Sequence, residues 1–353
     1  MLGERPFHGI GVNYFSLFSR LLNNPQDDST LTNLAALGNL KIPFVRFMCG
    51  GFWPVEQRMF LTNRAAFFER LDRVVHSAEQ NHVGLIPSLF WNLATVPDLF
   101  GEPMQALGNT NSKSISFIRT YTKELVERYR ESSAIWAWEF GNECNLIVDL
   151  PNAAEHRPPI IPELGTANGR TELDELKFSQ LRVAFVEFAG LARKLDSRRL
   201  IVSGNSLPRE SAWHNTHEKS WVPDNLEQFR EILRRDNPDP MNGISIHIYP
   251  AEKFPGGAKS ITAATILAVK ESAAVLKPLF VGEFGVSRQV GPVAAQKAVF
   301  GELLSAIEKA HVPLAAVWVF DLPDQEQEWN INFGNPRAIF LKMICDANER
   351  IAK

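Results

Sequence analysis

The strongest constraint on how this chain folds is an alternation: eight short apolar runs recur along it, each followed by a stretch with helical spacing. The runs are FHGIGVNYF (7–15), FVRFMCG (44–50), GLIPSLFW (84–91), IWAWEFGNE (135–143), LIVSGN (200–205), GISIHIYP (243–250), PLFVGEFG (278–285) and LAAVWVFD (314–321). Between them lie segments such as RAAFFERLDRVVHSAEQ (64–80) and AAQKAVFGELLSAIEKA (294–310), whose apolar residues recur every three or four positions, as one-sided helices require. Strand and helix repeated eight times predict an α/β fold, a closed (β/α)8 TIM barrel. An open doubly wound sheet is the alternative, but GVNYF stands where its Gly-rich phosphate loop would follow the first strand. No compositional break divides residues 1–353, so a single domain is expected, with long βα loops at 144–172 and 205–226 on the face that carries chemistry in such barrels.

Composition narrows the partners. With 45% hydrophobic and 22% charged residues the chain is an ordinary globular one, and a net charge of −3 gives no electrostatic reason to expect nucleic acid. Cys49, Cys144 and Cys345 are too few and too irregularly spaced for a disulfide framework or a zinc site, so free thiols are expected. The opening MLGERPFHGIGVNYF has no apolar run behind a basic start, and no segment is long enough to span a membrane. The expectation is a cytoplasmic protein with no membrane partner. A trimmed secreted protein would read the same way.

In a barrel of this kind, working residues sit at the C-terminal ends of strands. Polar residues concentrate there: Asn13, Arg46, the pair Trp91-Asn92, the pair Asn142-Glu143, Asn205, His247 with Tyr249, Glu283, and Trp318 with Asp321, one set for each predicted strand. Period-two alternation puts Ser245, His247 and Tyr249 on the axial face of the sixth strand and Ile244, Ile246 and Ile248 on the other. The same parity groups Leu279, Val281 and Glu283 on the seventh. On the fourth, Glu139 lies deeper than Glu143 and is expected to pair with an arginine such as Arg46.

Carboxylates at the tips of strands four and seven face each other across a barrel mouth. Glycoside hydrolysis needs such a pair: one carboxylic acid protonates the leaving oxygen while the other carboxylate attacks the anomeric carbon or activates water. The acid is expected to have a raised pKa, from burial and the second carboxylate, and Arg46 and Tyr249 to keep Glu283 ionised.

WEFGNE, HIY and GEFG in this order resemble the retaining β-glycosidases built on (β/α)8 barrels, glycoside hydrolase family 5, the cellulases and mannanases, in particular. The resemblance implies that Glu143 is the acid/base and Glu283 the nucleophile, about 5 to 5.5 Å apart as retention demands. It implies that Asn142 binds a sugar 2-hydroxyl and that His247, Tyr249, Arg46 and Trp318 orient the carboxylates or floor the sugar site. Two departures stand out. Cys144 replaces the usual proline after Asn-Glu, and Trp91-Asn92 replaces the cellulase-like histidine after strand three, which leaves β-glucan and β-mannan both open. Trp91, Asn92 and Asn205 are counted with the substrate-facing set. No cofactor or metal is expected.

Two other classes fit parts of the pattern. Glu143, His247, Glu283 and Asp321 offer oxygen and nitrogen ligands for a divalent ion, as in barrel sugar isomerases, but strands two, three and five lack a matching His or Asp. A non-catalytic carbohydrate-binding barrel would have no use for two carboxylates facing one bond.

Overall fold

The computed structural model describes residues 7–255, 257–259, 262, 266, 269 and 277–352. Every apolar run named above forms a strand: β1 (Gly9–Asn13), β2 (Phe44–Met48), β3 (Gly84–Phe90), β4 (Ala137–Gly141), β5 (Leu200–Val202), β6 (Ile244–Ile248), β7 (Leu279–Phe284) and β8 (Leu314–Val317). They join in one parallel sheet in the order β5-β4-β3-β2-β1-β8-β7-β6. This is the cyclic order of a (β/α)8 barrel, and side-chain amides close its last seam. Asn242 donates its backbone N–H to the Ile201 carbonyl (3.1 Å) while its Oδ1 accepts the Ile201 N–H (2.7 Å). One turn further on, Asn237 Oδ1 accepts from the Ser203 hydroxyl (2.9 Å) and the Ser245 N–H (3.0 Å). Gly243 permits this approach, since a Cβ there would stand 2.7 Å from the side chains of Leu200 and Val202.

Helices α1 (Ser29–Asn39), α2 (Arg64–Gln80), α3 (Lys113–Tyr129), α4 (Phe178–Leu195), α5 (Leu226–Asp236), α6 (Val293–Lys309) and α7 (Ile339–Ile351) cover the outside. Three of them start on a side-chain cap: Asn63 accepts from Ala66 N–H, Ser112 from Ile115, and Asn225 from both Glu227 and Gln228. The stretch between β6 and β7, where the remaining helix of the eightfold pattern would fall, lies mostly outside the described residues, as do residues 1–6 of the N-terminal segment. In α7, the Asn348 side chain exchanges two hydrogen bonds with the backbone of Ile10, fastening the last helix to β1. Among the described residues no helix is long and apolar enough to cross a membrane.

The strands are buried on both faces and separate two cores. Inside the barrel Phe44, Ile86, Ala137, Val202, Phe280 and Ala316 form a small plug, and the large core lies between strands and helices. On β6 the alternation is as expected, with Ile244, Ile246 and Ile248 in the outer core.

β7 corrects the simple parity. Leu279 and Val281 pack outward and Phe280 inward, yet Glu283 also faces inward, because Ile246 pairs with Val281 and His247 with Glu283. Gly282 is therefore an extra residue, a β-bulge that rotates the carboxylate onto the axis. A Cβ at Gly282 would lie 2.9 Å from His247 Nε2, and its carbonyl accepts from Asn13 Nδ2 (2.9 Å).

Replacing Asn237 with alanine strands the buried Ser245 N–H and Ser203 hydroxyl at the β5–β6 seam. The expected loss of stability is about 2 to 4 kcal/mol, read by denaturant unfolding. A change below about 0.5 kcal/mol would mean that the amide is not what closes the barrel.

Candidate active site

At the open end of the barrel the side chains are organised around Arg46, which is fully buried. Its Nε donates to both oxygens of Glu139 (2.8 and 3.0 Å). Nη1 donates to Asn13 Oδ1 (2.9 Å) and Glu283 Oε1 (2.9 Å), and Nη2 to Asn142 Oδ1 (2.8 Å) and more distantly to the Gly141 carbonyl (3.5 Å). All five N–H groups are engaged, and the Trp91 ring covers one face of the guanidinium, 4.3 Å from its centroid. The expected Arg46–Glu139 pair is thus present. Burial raises the Glu139 carboxyl above its ordinary value, an effect that Arg46 and the Ser88 hydroxyl only partly offset.

Glu283, nearly buried, has its second oxygen held by the Tyr249 hydroxyl at 2.6 Å. That bond and the charge of Glu283 add to burial in pushing the Tyr249 phenol well up, so it stays a donor. Glu143 sits two residues past the end of β4 in the left-handed region (φ 50°), its N–H bound to the Gly204 carbonyl (2.9 Å). A carboxylate oxygen of Glu143, one of Glu283 and a His247 ring nitrogen all lie within 4.8 Å of one another. His247 Nδ1 is 2.9 Å from Glu143 Oε1.

This last contact corrects one expectation. Burial does act to raise the Glu143 pKa, but the hydrogen bond and charge of His247, the charge of Arg46 and the Ser206 hydroxyl together bring it below the ordinary value. His247 moves the other way: burial lowers it, and Glu283 and Glu143 more than reverse that. The two side chains hold one proton between them, available at Glu143 Oε1 across 2.9 Å. His247 Nε2 is buried without a partner, so the exchange with Glu143 runs through Nδ1 alone.

Beside this group opens a cleft of about 880 Å³. Asn142, Glu143, Tyr249 and Glu283 lie on its floor with Trp91 and Trp318, whose rings stack 6.0 Å apart. Sequence reasoning missed part of the wall, namely Phe15, Met48, Phe52 and Trp53. The available signal was GGFW at 50–53, two aromatics in a glycine-flanked loop directly after β2. Trp329 also lines the cleft and meets Tyr249 edge-on at 5.2 Å.

Four sequence candidates do not line the cleft: Arg46 and His247, which are fully buried, and the two asparagines Asn92 and Asn205. Asn92 donates to the Phe52 carbonyl (3.0 Å) and ties the loop after β3 to the loop after β2. Asn205 is fully buried: it donates to the Asp236 carbonyl (2.7 Å) and accepts from Asn145 N–H (3.2 Å), bracing the β4 and β5 loops against α5. Gly204 directs it there. With φ at +76° and no room for a Cβ, which would lie 1.8 Å from the Gly141 carbonyl, it turns the chain away from the axis. Cys49 and Cys144 are buried and Cys345 is partly exposed, all three free. Burial pushes the Cys144 thiol up to about 12, so it is unreactive despite adjoining Glu143.

Glu252, three residues past Tyr249, accepts that residue's N–H (3.0 Å) and is pushed up to about 7, chiefly by burial. A carboxyl raised in the folded state stabilises it fully below the unfolded-state pKa near 4.5, and this contribution is lost as pH rises through about 7. Glu252→Gln keeps the acceptor and cannot ionise. Relative to the native protein it is expected to gain about 1 to 3 kcal/mol at about pH 8.5 and nothing at about pH 4, measured by denaturant unfolding. A gain independent of pH would contradict the assigned ionisation.

No family model matches the chain. Curated relatives share one segment with it: probable mannan endo-1,4-beta-mannosidase A of Aspergillus niger is 37% identical over 81 residues, 21% of each protein. Probable mannan endo-1,4-beta-mannosidase F of Aspergillus flavus is 41% identical over 81 residues, 21% of this chain and 17% of the relative. The matched part of this chain thus spans about a fifth of these relatives' length. Solved structures are similar throughout. The endo-1,4-beta-mannanase of Rhizomucor miehei superposes with a TM-score of 0.68 at 16% identity, covering 100% of this chain and 97% of the other. A hyperthermostable endo-1,4-beta-D-mannanase of Thermotoga petrophila gives 0.63 at 16% identity, covering 98% and 100%. A family 5 glycoside hydrolase mannosidase from Rhizomucor miehei gives 0.63 at 13%, covering 99% and 94%. At such identities the likeness establishes the barrel fold alone.

Proposed function

We propose that this chain is a retaining glycoside hydrolase acting on β-mannosidic linkages. The observation that carries the reading is the pair Glu143 and Glu283, with carboxylate oxygens within 4.8 Å of one another and opposite surroundings. Glu283 accepts from two donors, Arg46 and Tyr249, which hold its two oxygens in place. Glu143 faces His247, with which it shares a proton. Carboxylates this close leave no space for a water behind the sugar, so direct attack and net retention follow. The segment shared with mannan endo-1,4-beta-mannosidases supports mannose over glucose as the sugar.

In the first step Glu283 attacks the anomeric carbon, the bond from that carbon to the leaving oxygen breaks, and Glu143 delivers its proton to that oxygen. In the second step Glu143 takes a proton from water, the hydroxide oxygen bonds to the anomeric carbon, and Glu283 departs. Trp318 and Trp91 offer flat apolar faces to the C–H side of a sugar ring, and Asn142, oriented by Arg46, offers its amide to a hydroxyl.

The cluster Glu143, His247 and Glu283 has the composition of a metal site, but its donors are otherwise engaged. Arg46 stands 2.9 Å from Glu283 and opposes a second cation there. Hydrolysis of β-1,4-manno-oligosaccharides is accordingly expected without added metal and to survive EDTA. Activity lost to EDTA and restored by manganese or magnesium would favour an isomerase-like site instead.

The bell of kcat/KM against pH is expected to keep its basic limb above 6.5, the ordinary histidine value, because the Glu143–His247 pair holds its proton beyond it. A basic limb in the ordinary carboxylate range would refute the shared proton.

Azide separates the two glutamates by role. Glu143→Ala with a good leaving group should give a β-mannosyl azide, and Glu283→Ala the α-azide, read by proton NMR. Glu143→Ala should also cost about 10²- to 10⁴-fold on poor leaving groups and far less on good ones. Swapped anomers would reverse the assignment.

A further inference from the structure

A second depression, about 520 Å³, lies between the loops that follow β4, β5 and β6, and Ser206, Arg209, Trp221 and Glu252 line it. It adjoins the candidate acid through Ser206. The Ser206 hydroxyl bonds the Glu143 carboxylate, and the charge of Glu143 acts on Arg209 and Glu252. Glu283, Trp91 and Trp318 line the large cleft and not this depression. The nucleophile lies under the sugar that becomes bound to it and the acid stands at the leaving oxygen, so the departing group lies on the Glu143 side of the bond that breaks.

The chemistry of that depression is unusual for a neutral sugar. Arg209 is partly buried, and its Nε and Nη2 both donate to one backbone carbonyl, that of Leu146 (2.9 and 2.6 Å). It forms no ion pair among the described residues, and burial lowers its pKa against the raising effect of Glu143's charge alone. When Glu143 takes up the proton it needs as an acid, that compensation disappears and a partly buried guanidinium is left without a counter-charge. Glu252, which also lines the depression, is largely protonated below about pH 7 and then offers an O–H rather than a charge. Glu210 and Lys253 are exposed and of opposite sign. Trp221, half exposed, also lines the depression and supplies it with an apolar ring surface.

We infer that this depression is the leaving-group site and that Arg209 is built to receive a carboxylate on the departing sugar, a uronic acid. The inference rests on the proposed hydrolase reading. Charge-assisted pairing with a planar guanidinium also gives direction, because the free Nη1 edge admits a carboxylate oxygen where a hydroxyl would leave the charge uncompensated.

The test compares two disaccharides, β-mannosyl-1,4-glucuronic acid and β-mannosyl-1,4-glucose, on the full chain. The expected kcat/KM favours the uronide by about tenfold or more, a preference that shrinks with rising ionic strength and falls to near unity in Arg209→Gln. The salt series needs no variant, so a poorly folding Arg209→Gln does not shield the inference. Equal rates on the two substrates in the native protein would overturn it, as would an Arg209→Gln that lowers both rates by the same factor, the behaviour of a residue that only braces the Leu146 carbonyl. An aryl β-mannoside keeps the two readings apart: if the native protein turns it over without preferring the uronide, only this inference fails, and if no mannoside is cleaved the hydrolase reading itself fails.

Discussion

The mouth of this barrel is organised by one buried cation. Arg46 reaches from β2 to Asn13 on β1, to Glu139 and Asn142 on and beyond β4, and to Glu283 on β7, so a single planar group fixes the relative positions of four strand ends. Burying a guanidinium is costly unless its charge and every N–H are matched, and removing one partner of such a buried pair costs about 3 to 5 kcal/mol. Glu139 and Glu283 supply the charge, and Asn13 and Asn142 the remaining acceptors. Because every donor is spoken for, the group has no freedom to tilt, and Glu283 takes its orientation from it.

That arrangement separates two carboxylates that start chemically alike. The Glu283 oxygens are held by Arg46 and Tyr249, both donors, while Glu143 has a histidine on one side and solvent-accessible cleft on the other, with a third of its side chain exposed. On the proposed mechanism this asymmetry assigns the roles: the clamped carboxylate attacks, and the one that shares a proton delivers it. The bulge at Gly282 matters here because it brings Glu283 onto the axis beside His247.

Much of this was legible in the residues. The eight apolar runs marked all eight strands because strands buried on both faces must be apolar, and polar residues at their ends could only face the cleft or the loops. The alternation on β6 held for the same reason. It failed on β7 because a bulge leaves no trace in hydrophobic pattern beyond a glycine, and Gly282 has neighbours on the chain that fit either parity. Asn92 and Asn205 were misplaced because an amide at a strand end serves equally well as a ligand or as a loop brace, and only the partner atom tells them apart. The lowered pKa of Glu143 lay beyond the sequence altogether, since it depends on the distance to His247 rather than on either residue's identity.

The central claim is that Glu283 forms a covalent bond to the sugar. The most direct measurement is to incubate the protein with 2-deoxy-2-fluoro-β-mannosyl fluoride, whose leaving group departs readily and whose fluorine slows the second step, and to locate the added fluorosugar by peptide mass spectrometry. The account predicts one sugar per chain, on the peptide carrying Glu283, released when an acceptor sugar is added. A label on the peptide carrying Glu143, or turnover that inverts the anomeric configuration with no label at all, would contradict it.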